Sequence, residues 1–195
     1  CEGNDSVSGT DAGSYDMELK AADFTNTSVN FTNVEFVIVD GTLEISKRTV
    51  TLTSADDEKV YDGTALTNDK VTVTGDGFAE GEGATYTVTG SRTEEGSSPN
   101  AFTYALKGGT KADNYEITTV EGTLTIAPIT YKVTVTITEH GGEAKYDGEI
   151  HTVTGYDFGT DNDLYTTADF SFNGDATVYG IDAGSYGMEL KAENR

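Results

Sequence analysis

The sequence predicts an all-β fold, built as tandem small immunoglobulin-like β-sandwich modules. Three observations predict it. Short runs alternate apolar and polar residues, glycine-bearing dipeptides punctuate the runs, and long stretches of sequence recur. Alternation with period two marks half-buried strands, because successive side chains point to opposite faces of a sheet. Helix-poor β-grasp-like sheets are the alternative fold.

In chain order, the first run sets Tyr15, Met17 and Leu19 against Asp16 and Glu18. Val50 and Leu52 alternate with Thr49, Thr51 and Thr53, and Val71 and Val73 with Thr72 and Thr74. Tyr115 and Ile117 flank Glu116, and Leu124 and Ile126 flank Thr125. The longest run carries Tyr131, Val133, Val135 and Ile137 between Lys132, Thr134, Thr136 and Thr138. Threonine suits a pleated surface, so the Thr-rich faces fit strands. Turns are expected at Asp62-Gly63, Gly108-Gly109, Gly141-Gly142, Asp147-Gly148 and Asn173-Gly174, each glycine supplying positive φ. No segment carries a helical stripe, and Asp56 to Val60 is too short for one. Six or seven strands per module, with turns every 8 to 12 residues, is the expected sandwich pattern.

Repeats fix the organisation. Asp11 to Ala21 returns at Asp182 to Ala192 with one difference, Asp16 against Gly187. The offset is 182 − 11 = 171. Shorter echoes fall at about half that distance. Tyr61-Asp62-Gly63 matches Tyr146-Asp147-Gly148 at 85, and Val39 to Ile45 matches Val120 to Ile126 at 81. Asn30-Phe31 matches Asn114-Tyr115 at 84, and Tyr15 to Lys20 resembles Phe102 to Lys107 at 87. Two alternating modules, A and B, account for this. Residues 1–46 are then the C-terminal half of an A-type repeat, 47–128 a complete B-type repeat, and 129–195 the N-terminal half of the next A. The chain therefore reads as an excised fragment cut within the repeat. Residues 129–195 of one copy are expected to complete themselves with 1–46 of another, giving head-to-tail self-association by strand complementation. The junctions after Ser46 and at Pro128 hold no Gly/Ser linker, so neighbouring repeats should form a semi-rigid rod.

Composition excludes several functions. Formal net charge is −22, which opposes binding to nucleic acid or to an anionic membrane surface. No stretch is apolar enough for membrane insertion as a helix. The single Cys1 forms no internal disulfide. Cys1 could pass for an acylated lipoprotein start, but the repeat register sets it opposite Phe172, as an interior strand residue.

The order Tyr61-Asp62-Gly63, Val73-Thr74-Gly75, Asn114-Tyr115, then Gly122 to Pro128, resembles the MBG/YDG repeat. That repeat occurs in tandem in bacterial surface adhesins and haemagglutinin-like exoproteins. The resemblance spans essentially the whole chain, though A departs with Asn30-Phe31 and with Ser46-Lys47 in place of the closing proline. It implies a non-catalytic stalk or fibre repeat of a large extracellular protein, secreted or on the bacterial cell surface. A glycan- or mucin-binding adhesive module using exposed aromatics is the alternative.

Candidate sites are few. Tyr61-Asp62-Gly63 and Tyr146-Asp147-Gly148 are read as structural turns, with Asp capping its own backbone and Tyr packing at a sheet edge; a sugar-binding Tyr/Asp pair is the rival. Asp161 and Asp163, near Asp157 and Asp169, are hard oxygen ligands at alternate positions and the candidate Ca²⁺ site. No other cofactor is expected. Asp56-Asp57-Glu58 is read as a solvated turn. His140 and His151 are read as surface residues flanking a hairpin. Lys59 or Lys107 with Asn114 are the pairs to examine for an isopeptide cross-link. Asn4, Asn26 and Asn30 head Asn-x-Ser/Thr triplets, glycan acceptors only in a eukaryotic secretory host. No nucleophile context or carboxylate cleft accompanies them, so the chain is read as a non-enzyme.

Overall fold

The computed structural model describes residues 5–192; Cys1 and Asn4 lie outside that range. The described chain is all-β, with only two single 3₁₀ turns, at Ala21–Asp23 and Ala112–Asn114. It divides into two compact units, Cys1–Pro128 and Ile129–Arg195.

The first unit opens with β1 (Gly13–Asp16) and β2 (Thr42–Ile45), an antiparallel pair in which Tyr15 faces Leu43. Eight strands follow: β3 (Arg48–Ser54), β4 (Asp57–Val60), β5 (Val71–Gly75), β6 (Ala84–Val88), β7 (Gly96–Asn100), β8 (Phe102–Leu106), β9 (Tyr115–Val120) and β10 (Gly122–Ala127). They form sheets of order β5-β3-β9 and β4-β10-β7, and a β6-β8 pair. Strand β3 runs parallel to β9, and after a bend at Ala55-Asp56 the chain continues as β4, parallel to β10. Antiparallel β5 and β7 flank this bent ribbon, one on each half.

Alternation decides which side chains go inward. Val50 and Leu52 of β3 bury with Tyr115, against Val71, Phe78, Tyr86, Phe102 and Ile117. Leu124 and Ile126 of β10 bury with Leu66 and Tyr61. Full burial of each such aliphatic side chain contributes about 1.5–3 kcal/mol. The rings of Phe78 and Tyr115 meet at 5.2 Å. The Tyr115 hydroxyl accepts from Ala79 N–H and donates to Glu82; burial is the main reason its pKa is raised.

The bend is held by polar groups. Ser54 Oγ donates to the Asn100 carbonyl at 2.6 Å and accepts from Gly122 N–H at 2.9 Å. Asn100 Nδ2 donates to the carbonyls of Ala55 and Asn68. A Cβ on Gly122 would stand 2.5 Å from the Ser54 and Ala55 backbone, so no side chain fits between the crossing strands. Asp56 caps Thr123 N–H, while Asp57 and Glu58 begin β4. The acidic triplet is therefore part of the ribbon and not the solvated turn expected, because β10 recruits it into a ladder.

The second unit contains β11 (Val135–Glu139), β12 (His151–Thr154), β13 (Tyr156–Thr160) and β14 (Thr177–Gly180), paired β11-β13 and β12-β14. The β11-β13 ladder repeats β3-β5 residue for residue. Val135 faces Thr160 as Val50 faces Gly75, and Ile137 faces Phe158 as Leu52 faces Val73, all offset by 85. Phe158 stacks on Tyr165 and Phe170.

Four further expectations fail. The run from Tyr131 extends as a strand only from Val135, since β13 offers partners only to Val135–Glu139. Gly141, Gly142 and Gly174 do not take positive φ, whereas Gly63, Gly109 and Gly148 do. His140 and His151 do not flank a hairpin, because β11 pairs with β13 and skips β12. Finally, Tyr15 to Lys20 does not correspond to Phe102 to Lys107. Leu43 faces Tyr15 as Leu124 faces Ser98, so β1 stands where β7 does and the offset is 98 − 15 = 83.

Candidate functional site

Every buried residue among the described ones lies between Val50 and Ile126. That observation locates the unusual surface. Val135 and Ile137 are 36% and 40% exposed, whereas their counterparts Val50 and Leu52 are 1% and 0%. The difference has a topological cause. Strand β3 is covered by β9, and no described strand takes that place beside β11.

A groove of about 600 Å³ opens in the second unit beside β12 and β14. One wall is the segment 142–146, the other 184–188. Shifted by 85, residues 142–145 correspond to β4. Shifted by 171, residues 184–187 correspond to β1, which stands where β7 does. In the first unit the strand between β4 and β7 is β10. Among the described residues no strand runs between 142–145 and 184–187. Tyr146, Tyr179 and Tyr186 line it and stay exposed.

The YDG motifs form the same Asx turn twice. Asp62 Oδ1 accepts from Thr64 N–H at 2.9 Å, and Asp147 Oδ1 from Glu149 N–H at 3.0 Å. Gly63 and Gly148 sit at φ 77° and 84°. Lys59 Nζ donates to Asp62 at 2.7 Å and, with the Thr64 donors, pulls the Asp62 pKa down to about 2. His151 Nε2 lies 3.0 Å from Asp147 Oδ1. The two tyrosines differ. Tyr61 packs on the Leu66, Leu124 and Ile126 cluster, whereas Tyr146 is 67% exposed.

A second constellation, within the first unit, joins the segment before β1 to the turn before β9. Lys111 Nζ donates to both Asp11 oxygens, at 3.0 and 2.7 Å. Asn114 Nδ2 donates to Asp11 Oδ1 at 2.9 Å, and Asn114 Oδ1 accepts from Ala12 N–H at 2.7 Å. The Asn114 and Lys111 donors hold the Asp11 pKa below its ordinary value, and Asp11 raises that of Lys111. The Asn-Tyr signature is visible in the sequence, but nothing there marks Asp11 as its partner.

The remaining candidates scatter. Asp161 Oδ1 accepts from Thr134 N–H, Asp157 meets His140, and Asp169 accepts from Thr166. Among the described residues no three His, Cys, Asp or Glu side chains gather as a metal-holding group. Asp157 is the first cause of a raised His140 pKa, and the Thr154 carbonyl the second. Lys59 is engaged by Asp62 and Thr64, and Asn114 by Asp11 and Ala12. Asn26 uses its amide on the Phe31 carbonyl and Ser28 N–H. No helix among the described residues is long and apolar enough to cross a membrane.

No protein-family model, curated protein or solved structure matches the chain.

Proposed function

We propose that the chain is a run of non-catalytic structural repeats, the stalk or fibre segment of a large extracellular bacterial adhesin of the MBG/YDG type. The observation that carries this reading is the Asp11–Lys111–Asn114 clamp. It fixes the last part of one repeat to the body of the next through side chains a hundred residues apart. A Coulombic contact with two added amide hydrogen bonds restrains hinging where a flexible linker would permit it. The formal charge of −22 keeps neighbouring rods apart and soluble. In this reading the 47–128 module is a small immunoglobulin-like sandwich, its two three-stranded sheets each carrying one apolar cluster. Chains carrying one, two and three 171-residue units test the role. Small-angle scattering should give a maximum dimension that grows by a constant increment per unit. Growth with the square root of unit number, as for freely jointed beads, would overturn it.

A second reading is a glycan-binding module. Three exposed tyrosines along one groove favour it, since sugars stack on aromatic faces. Tyr146→Ala, Tyr179→Ala and Tyr186→Ala should then abolish binding on a glycan array.

A further inference from the structure

The loop between β13 and β14 carries a dipeptide unlike any other in the chain. We propose that Asn173-Gly174 is a spontaneous modification site, at which the folded protein converts an asparagine to aspartate and isoaspartate. The inference does not depend on the stalk reading.

Five Asx-Gly dipeptides occur in the sequence: Asp40-Gly41, Asp62-Gly63, Asp76-Gly77, Asp147-Gly148 and Asn173-Gly174. A glycine after Asx leaves the next backbone nitrogen uncrowded, so that nitrogen can reach the side-chain carbonyl carbon. Four of the five are carboxylates already held by hydrogen bonds. Asp40 accepts from Glu18 N–H, Asp62 from Thr64 N–H, Asp76 from Thr49 N–H and Asp147 from Glu149 N–H. A carboxylate is also a poor electrophile, because its charge repels the nucleophile and its oxygen leaves badly. Asn173 differs on both counts. Its carboxamide is neutral, and neither that group nor Gly174 N–H makes a hydrogen bond among the described residues.

The other described asparagines are occupied or crowded. The side chains of Asn26, Asn68, Asn100, Asn114 and Asn162 are hydrogen-bonded. Asn30 and Asn33 precede Phe31 and Val34, whose side chains crowd the attacking nitrogen.

The site lies between two anchors. The Phe172 ring meets Tyr156 edge-on at 5.2 Å, and the Ala176 carbonyl accepts from Gly155 N–H at 2.8 Å. Asn173, Gly174 and Asp175 are exposed between them, so water and hydroxide reach the dipeptide. The repeat register shows what the position tolerates. At the 171-residue offset Asn173 corresponds to Glu2 and Gly174 to Gly3, so an acid already stands before this glycine in the other copy.

The chemistry needs only water. Gly174 nitrogen loses its proton to hydroxide and attacks Asn173 Cγ. The Cγ–Nδ2 bond breaks, and the nitrogen takes a proton from solvent and leaves as ammonia. Water then opens the cyclic imide. Breaking the new N–Cγ bond leaves aspartate; breaking the original peptide bond leaves isoaspartate, with the main chain rerouted through Cγ. One water is consumed and one ammonia released for each conversion, with no redox change. Formal net charge moves to −22 − 1 = −23. The isoaspartate branch adds a backbone carbon between the Phe172 and Ala176 anchors and slackens the entry to β14.

The full 195-residue chain, held folded in neutral buffer, tests this. Peptide mass mapping should find the first and largest conversion at residue 173, as two products of equal mass. Protein isoaspartate methyltransferase with a labelled methyl donor should mark one of the two. Asn173→Gln should lose both products, because its longer side chain closes a larger ring far more slowly. Gly174→Ala is a less clean variant, since its Cβ would stand 2.8 Å from the Phe172 ring. Amide exchange at Gly155 should rise in the isoaspartate fraction and not in Asn173→Asp. Earlier conversion at any other asparagine, or conversion of residue 173 only after unfolding in urea, would overturn the proposal. Labelling of the Asn173→Gln chain equal to that of the parent would do the same, and equal exchange at Gly155 would overturn the slackened entry to β14.

Discussion

Asp11 and Lys111 lie a hundred positions apart and meet at 2.7 Å, with Asn114 sharing the same carboxylate. Asp11→Asn should free the 5–46 segment from the 47–128 module while leaving the module folded. Amide exchange should rise at Ala12 and along β1 but not at Val50 or Leu52. The folded pKa of Asp11 is lowered, so the clamp is complete above the ordinary value of 3.8 and is lost as pH falls through the folded one.

Leu124 is fully buried, and its repeat counterpart Leu43 is only half-buried. Leu124→Ala should cost about 2–5 kcal/mol in urea unfolding, the loss of transfer energy plus a cavity. Leu43→Ala in the same chain should cost well under half of that, because its surroundings can relax. Equal costs would show that the 1–46 segment buries a core of its own.

Ser54 and Asn100 hold the bend in the parallel ribbon. Ser54→Ala strands the Gly122 N–H away from water and should cost about 1–3 kcal/mol, read from the same urea transition. Gly122→Ala should be worse, since its Cβ would collide with backbone that cannot move aside.

His140 titrates in a defined direction. Its folded pKa is raised above 6.5 by Asp157 and the Thr154 carbonyl. Its contribution is therefore complete below 6.5 and lost as pH rises through the folded value. Asp157→Asn should move the His140 ring resonances back toward an ordinary titration by NMR. For Asp62 the window is acidic: with its pKa near 2 against an ordinary 3.8, the carboxylate should stay ionised to about that pH, and Lys59→Met should raise it.

How much of this was legible beforehand follows from the range of the interactions. Period two and the 171-residue offset are local or literal properties of the string, and the all-β class followed from them. The alternation at Val50–Leu52 and Leu124–Ile126 correctly picked core residues, because each strand there has both neighbours. The same alternation misled at Tyr131 and Val133, where the ladder partner ends at Thr160. Asp11 and Ser54 were invisible, since an aspartate and a serine acquire meaning only from what a distant strand brings beside them. The offset of 87 was a likeness of composition; pairing Leu43 with Tyr15 gave the true correspondence.

The near-identical segments 13–16 and 184–187 also carry a consequence for biosynthesis. A ribosome adding about 5–20 residues each second needs roughly ten to thirty seconds to travel from one copy to the next. A small β domain closes in milliseconds to seconds. The first copy, β1, can therefore find β2 before its duplicate emerges, and the intervening unlike sequence acts as a delay line. Refolding from denaturant removes that delay, so a mature chain diluted from urea should misassemble where a nascent one does not.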